Sequence, residues 1–135
     1  MSTIVYTDGS CSPNPGDGGW AAIIFPPDGN RYTIYGGERD TTNNRMELTA
    51  VIKALERIDD KSVVIYTDSH LIIKCAMAEW KMKKNLDLWK QLIPLIQRNV
   101  KWEYIRGHSD NPINDEVDNL ANMGRVMAST QDQHE

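Results

Sequence analysis

Short β-branched runs alternate with turn residues over the first part of the chain. The runs cover residues 3–7, 20–25 and 31–35, and Gly, Pro, Asn, Asp and Ser cluster between them. These connections are too short to hold crossover helices. The pattern therefore predicts three strands that form an antiparallel meander.

Helical periodicity replaces this pattern after the third strand. From residues 42–44 onward, apolar side chains recur at helical spacing as far as Ile58, and the apolar run at 63–66 is typical of a strand inside a sheet. The same criteria give helices at 69–79 and 86–98, a strand at 100–106, and a last helix that holds Ile113, Val117, Leu120 and Ala121. The order βββαβααβα predicts an α/β fold with one five-stranded mixed sheet flanked by helices.

Length and composition predict one globular domain. The 135 residues are 40% hydrophobic and 25% charged, an ordinary mixture for a single domain. We assign residues 1–128 to this domain and 129–135 to a polar, disordered tail, and we expect a monomer.

Neither a membrane nor a secretory location is predicted. The longest apolar runs, such as residues 21–25, are too short to cross a bilayer, and no signal sequence is visible. Cys11 and Cys75 are far apart and form no CxxC pair, which favours the reducing cytoplasm and gives no support to a zinc site. The net charge of −4 argues, taken alone, against a nucleic-acid partner.

Two aspartates follow strands in the same local sequence. Asp8 and Asp68 each come after a strand that ends in threonine, and the alternation of side chains along a strand places each of them on an apolar face. Open α/β sheets bind their ligands at the carboxyl ends of their strands. The two carboxylates therefore predict a ligand site at this edge.

Two acids on helices extend this group. Glu47 precedes Val51 by four residues and Ile58 by eleven, so it lies on the buried stripe of its helix, where a carboxylate is costly unless a cation meets it. Asp118 flanks the apolar stripe of the last helix. No lysine or arginine is an obvious partner for all four acids, and divalent cations that prefer oxygen ligands, Mg²⁺ or Mn²⁺, would neutralise them.

Each acid also has a structural interpretation when it is taken alone. Asp8 could form a turn, and Asp68 could cap the helix that starts at Ser69. Glu47 could be a partly buried acid satisfied by its neighbours, and Asp118 a solvated helix residue. The combination of all four favours the metal site.

Four motifs follow one another along nearly the whole chain. They read DGSC at residues 8–11 with NPG at 14–16, TTNNRMEL at 41–48, TDS at 67–69, and WEYIRGH at 102–108 followed by Asp118. In this order they resemble the motifs of type 1 ribonuclease H, and the second one matches almost letter for letter.

The resemblance implies an endonuclease that hydrolyses the RNA strand of RNA–DNA hybrids and leaves 5′-phosphate products. It implies that Asp8, Glu47, Asp68 and Asp118 are catalytic and bind two Mg²⁺ ions, with Mn²⁺ as a second possibility. Two such ions activate the attacking water and stabilise the leaving oxygen. The resemblance gives His108 an auxiliary role in proton transfer or product release, which suits an imidazole that titrates near neutral pH.

The resemblance also implies contacts with the substrate. Asn14, Asn43 and Asn44, with backbone groups near Cys11 and Glu47, would read 2′-hydroxyl groups in the minor groove, although these asparagines also suit turns and helix caps. The resemblance further implies that Thr42 and Arg45 anchor a phosphate of the DNA strand, that His70 binds substrate, and that Trp80, Asn85 and Trp89 line a channel for the DNA strand. Without the resemblance, the two tryptophans would more readily be core residues.

Two departures from the family pattern affect these contacts. Many cellular members carry a long basic extension where this chain has only residues 81–88, and residues 81–90 keep four lysines and one aspartate, a local charge of +3. His70 stands where many members have glutamine. We therefore expect weak binding of the hybrid and a changed hydrogen bond at position 70.

Two other functions remain open at this point. One is a related polynucleotidyl transferase, such as a transposase or a junction resolvase, on the same sheet. The other is a module that binds hybrids without cleaving them. The asparagine motif and the lack of accessory domains disfavour the first, and the presence of all four acids with His108 disfavours the second.

Overall fold

The computed structural model describes residues 2–106 and 110–131. Over these residues it contains five strands and four helices in the predicted order. The elements are β1 (Thr3–Cys11), β2 (Gly16–Phe25), β3 (Tyr32–Thr41), α1 (Asn43–Glu56), β4 (Ser62–Thr67), α2 (His70–Ala76), α3 (Leu86–Leu95), β5 (Asn99–Tyr104) and α4 (Pro112–Gln131).

One mixed sheet organises the chain, in the spatial order β3-β2-β1-β4-β5. β1, β2 and β3 are antiparallel neighbours, whereas β4 runs parallel to both β1 and β5. The predicted meander and the predicted mixed sheet are both confirmed. The parallel pairing of β1 with β4 ends at Tyr6 and Tyr66, so the rest of β1 continues past the end of β4.

Helices cover both faces of the sheet. Ala22 and Ile24 of β2 point into the larger core with α1 and α3, whereas Ala21 and Ile23 pack with α4 on the other face. This explains why residues 21–25 are continuously apolar, because a strand covered on both faces has no solvent-facing positions. No helix within residues 2–106 and 110–131 is long and apolar enough to span a membrane.

The backbone of α4 lies directly against the sheet. A Cβ atom added at Gly124 would overlap the carbonyl oxygen of Gly36 in β3, and one added at Gly19 would overlap the carbonyl oxygen of Ala121. Only glycine allows two backbones to approach this closely. The contact holds α4, which carries Asp118, tightly against the strands.

The strands of the meander are longer than predicted. β1 does not stop at residue 7, because Asp8 and Gly9 pair with Ala21 and Trp20 of β2. β2 begins at Gly16, four residues early, and β3 extends to Thr41. Turn-forming residue types are held in extended conformation here because a neighbouring strand pairs with them.

Several helix ends also differ from the prediction. α2 ends at Ala76 and not at residue 79, and α3 ends at Leu95, directly after Pro94, and not at residue 98. α4 continues through Gln131, so Ser129 and Thr130 are helical and the assignment of a disordered tail from residue 129 is wrong there. The Ser129 hydroxyl group donates a hydrogen bond to Asp17 at 2.9 Å, which ties this last part of α4 to β2.

Candidate active site

Three carboxylates from separate elements meet at the carboxyl end of β4. Asp8 lies within β1, Glu47 lies in the first half of α1, and Asp68 follows β4; one carboxylate oxygen of each lies within 4.8 Å of the others. Asp8 and Asp68 come together because β1 and β4 are parallel neighbours. The sequence pattern predicts Asp8 at the end of a strand, whereas in the structure Asp8 lies in the middle of β1, beside the point where β4 ends.

Gly9 allows α1 to reach this site. A Cβ atom at this position would lie 2.5 Å from the backbone nitrogen of Glu47. The backbone N–H of Gly9 also donates to Oδ1 of Asp8 at 2.9 Å. Sequence reasoning treated Gly9 only as a turn residue and missed both roles.

Asp118 reaches the cluster from the opposite face of the sheet. It is half-buried on α4, and protonated Asp8 donates a hydrogen bond to its carboxylate. Asp8 shares its face of β1 with Tyr6, as the alternation predicts, and in the structure Tyr6 packs against the cluster that contains Val117 and Ala121 of α4. The four predicted acids therefore lie together, and Asp8 interacts electrostatically with each of the other three.

Burial and mutual repulsion make these acids reluctant to ionise. Burial raises the pKa of Asp8 to about 8, and the charges of Asp68 and Asp118 act in the same direction. Burial also raises the pKa of Glu47 well above its ordinary value, with further contributions from Asp8 and Asp68. A site without cations therefore holds protons near neutral pH.

The donor set suits a hard divalent cation. Glu47 is only 4% exposed, and its buried Oε2 has no hydrogen-bond partner among the described residues. An unpartnered buried carboxylate oxygen is costly, and a cation held by several carboxylates would satisfy it. The residues present therefore fit Mg²⁺ or Mn²⁺.

The helix caps show whether Asp68, Asn43 and Asn44 are capping residues. Oγ of Ser69 accepts a hydrogen bond from the backbone N–H of Ile72 at 3.2 Å, so Ser69 and not Asp68 caps α2. Thr42 caps α1 in the same way. The cap interpretation is therefore wrong for Asp68, and also for Asn43 and Asn44, which are the first two residues of α1.

The proposed minor-groove residues gather at the start of α1. Oδ1 of Asn14 accepts a hydrogen bond from the backbone N–H of Asn43 at 3.1 Å, which fixes the β1–β2 loop against the helix. Cys11 lies at the start of this loop, and its Sγ donates a hydrogen bond to the carbonyl oxygen of Pro13 at 3.3 Å. The structure therefore brings Cys11, Asn14, Thr42, Asn43 and Asn44 to one surface.

Arg45 is held by α3. Its guanidinium donates two hydrogen bonds to Asp87, at 2.9 and 2.8 Å, and a third to Oδ1 of Asn85 at 3.3 Å. Arg45 thereby lowers the pKa of Asp87 to about 2. Sequence reasoning missed Asp87, and the only signal was its position in the first turn of α3. The expected phosphate anchor is thus already paired with a carboxylate.

A groove of about 570 Å³ opens beside this ion pair. The predicted channel residues all line it, but they differ in exposure: Trp80 is 50% exposed, whereas Trp89 is only 3% exposed and belongs to the core. The core interpretation is thus correct for Trp89 and wrong for Trp80. The groove is further lined by Asn44, Lys81, Lys83 and Lys84.

His70 and Tyr104 form a stacked pair next to the carboxylates. Their ring centroids are 3.8 Å apart and their planes differ by 18°. His70 begins α2, two residues after Asp68, and Tyr104 pairs in register with Thr67. Sequence reasoning assigned no role to Tyr104. His108, the remaining predicted residue, lies outside the described residues.

A family model described as RNase H matches residues 1–125. The chain belongs to the RNase H family. Among its relatives is Ribonuclease H of Thiobacillus denitrificans, which is 44% identical over 92% of this chain and 93% of its own length. Ribonuclease H of Methylorubrum extorquens is 45% identical over 95% of this chain, which spans 62% of that longer protein.

Solved structures of RNase H proteins share the fold. The N-terminal RNase H domain of a Mycobacterium tuberculosis protein superposes with a TM-score of 0.84 at 23% identity, over 97% of this chain and 98% of that one. LC11-RNase H1, solved in complex with an RNA/DNA hybrid, gives a TM-score of 0.80 at 26% identity, over 94% of this chain and 99% of that one. The predicted fold class and family are therefore confirmed.

Proposed function

We propose that this protein is an endonuclease that hydrolyses the RNA strand of RNA–DNA hybrids. The cluster of Asp8, Glu47 and Asp68, with Asp118 beside it, is the observation that carries the proposal. Membership of the RNase H family and the hybrid bound to LC11-RNase H1 support the same substrate.

The four acids would hold two Mg²⁺ ions, or Mn²⁺ in their place. When bound, two such ions activate a water molecule and stabilise the leaving 3′ oxygen, which gives 5′-phosphate products. Asp8 would be the central ligand, because one of its carboxylate oxygens lies within 4.8 Å of an oxygen of Glu47 and of Asp68 and its carboxyl group is hydrogen-bonded to Asp118. The elevated pKa values mean that these carboxylates must release protons when they bind cations.

The remaining residues would position the hybrid. The surface formed by Asn14, Asn43 and Asn44 offers uncharged amides, which can donate and accept hydrogen bonds to 2′-hydroxyl groups without adding charge near the acids. Thr42, together with Arg45 once it exchanges Asp87 for phosphate, would hold the DNA strand, which would continue along the groove lined by Trp80 and the lysines. His108 would assist proton transfer or product release, as its motif implies.

The setting of this activity is part of the proposal. Cys11 and Cys75 are free thiols, which suits a reducing cytoplasm. We propose that the protein acts there as a monomer, because all four acids come from one chain.

A cleavage assay tests the function directly. Labelled hybrid, duplex DNA and duplex RNA are incubated with the wild type, with Asp68→Asn, and with the control Asp59→Asn, whose exposed carboxylate lies outside the site. We expect the wild type and the control to cleave only the RNA strand of the hybrid, only with Mg²⁺ or Mn²⁺, and the Asp68→Asn protein to be inactive but folded.

The other outcomes decide between the remaining functions. Cleavage of duplex DNA would favour the transposase or resolvase class. Tight binding of hybrid without cleavage under any metal condition would favour the binding module. Wild-type turnover by the folded Asp68→Asn protein would overturn the assignment of the acids.

A further inference from the structure

The stacked pair of His70 and Tyr104 is a feature that the proposed mechanism leaves unused. Both side chains are solvent-exposed, and Tyr104 keeps 45% of its surface accessible. Exposed aromatic rings that stack at 3.8 Å lose rotational freedom without gaining full burial. The stack holds both rings in one orientation, so a ligand that contacts them would not need to order them first.

The position of the pair relates it to the carboxylates. Tyr104 lies beside Thr67 at the end of the parallel β4–β5 ladder, and the backbone N–H of Ile105 donates to the carbonyl oxygen of Thr67 at 2.9 Å. His70 follows Asp68 after one intervening residue. The pair therefore flanks Asp68, on the side of the site away from Glu47 and α1.

We propose that Tyr104 is a positioning residue for the substrate, which fixes the His70 imidazole against the RNA strand next to the carboxylates. The inference rests on the proposed function. An imidazole ring presents a donor and an acceptor on one rigid plane, and the stack determines which way that plane faces.

Substitutions at position 104 separate the ring from its hydroxyl group. Tyr104→Leu removes the stack and Tyr104→Phe keeps it, so we expect KM for hybrid to rise about two- to tenfold in the first and to stay unchanged in the second, with kcat nearly constant in both. Tyr35→Leu is the matched control, because Tyr35 is a similarly exposed tyrosine on the far edge strand β3. Melting temperatures of all variants report any loss of folding.

A double-mutant cycle tests whether Tyr104 acts through His70. In a His70→Ala background, Tyr104→Leu should have no further effect on KM. An equal rise in KM in both backgrounds, or a Tyr104→Leu protein that matches the Tyr35→Leu control, would overturn the inference.

Binding measurements keep this test independent of cleavage. Anisotropy of labelled hybrid is measured with the Glu47→Gln protein, with and without Tyr104→Leu. If the wild type cleaves no hybrid, the proposed function fails, and the inference is then judged from affinity alone. A two- to tenfold weaker affinity with Tyr104→Leu, absent when His70 is also replaced, supports the positioning role, and an unchanged affinity overturns it.

Discussion

Replacing Asp8 by asparagine should stabilise the protein when no divalent cation is present. The carboxylate oxygens of Asp8, Glu47 and Asp68 lie within 4.8 Å of one another. Two unit charges at that distance repel by about 3 kcal/mol at an effective dielectric constant of 20. Asparagine keeps the shape of the side chain and removes one of these charges.

The effect depends on pH, and its sign follows from the raised pKa. Asp8 has a pKa of about 8 in the folded protein and an ordinary value of 3.8 when unfolded. Proton uptake therefore stabilises the folded form fully below pH 4, and this stabilisation is lost as pH rises towards 8. The wild type should lose stability over this range, whereas the Asp8→Asn protein should lose less.

Thermal unfolding in EDTA measures this difference. At pH 5 the two melting temperatures should be close, and at pH 9 the Asp8→Asn protein should melt up to about 10 °C higher. Asp59→Asn, which removes an exposed carboxylate, should follow the wild type at every pH. An Asp8→Asn protein that melts below the wild type at pH 9, or a difference that does not change with pH, would refute the electrostatic reasoning.

Four further outcomes follow from the same structure. Adding Mg²⁺ at a thousand times its dissociation constant should stabilise the wild type by about 4 kcal/mol and the Asp8→Asn protein far less, as melting curves would show. Gly124→Ala should destabilise by about 3 kcal/mol or more, measured by urea unfolding, because the added methyl group overlaps the backbone of β3. Asp87→Asn should lower KM for hybrid, because it frees Arg45 for phosphate; an unchanged KM would count against that contact. Replacing the three groove lysines by alanine should raise KM for hybrid and weaken the salt dependence of KM, while kcat stays unchanged. The three lysines are Lys81, Lys83 and Lys84.

The element order and the antiparallel meander of the first three strands were predictable because they follow from local patterns. Period-2 and helical periodicities distinguish strands from helices, and short connections force antiparallel pairing. The burial of Glu47 was predictable for the same reason, since its spacing to Val51 and Ile58 fixes its face of α1. Its 4% exposure confirms that prediction.

The side-chain pairs around the site were not predictable, because each joins residues distant in sequence. Arg45 pairs with Asp87 only because α1 and α3 pack on the same face of the sheet. His70 stacks on Tyr104 only because β5 lies beside β4. A sequence pattern identifies which face a residue occupies, but the neighbour on that face is decided by how the elements pack.

The glycines show how one residue type produces both the errors in strand length and the convergence of the acids. Gly9 favours a turn by its local preference, yet the β1–β2 ladder keeps it extended and its missing side chain lets α1 bring Glu47 to Asp8. Gly124 lets α4 pack directly against Gly36 of β3, and α4 carries Asp118 to the other face of β1. Local turn preference and close packing are two consequences of the same absent Cβ atom. Which one prevails is decided by the tertiary neighbours, which are α1 at Gly9 and the backbone of β3 at Gly124.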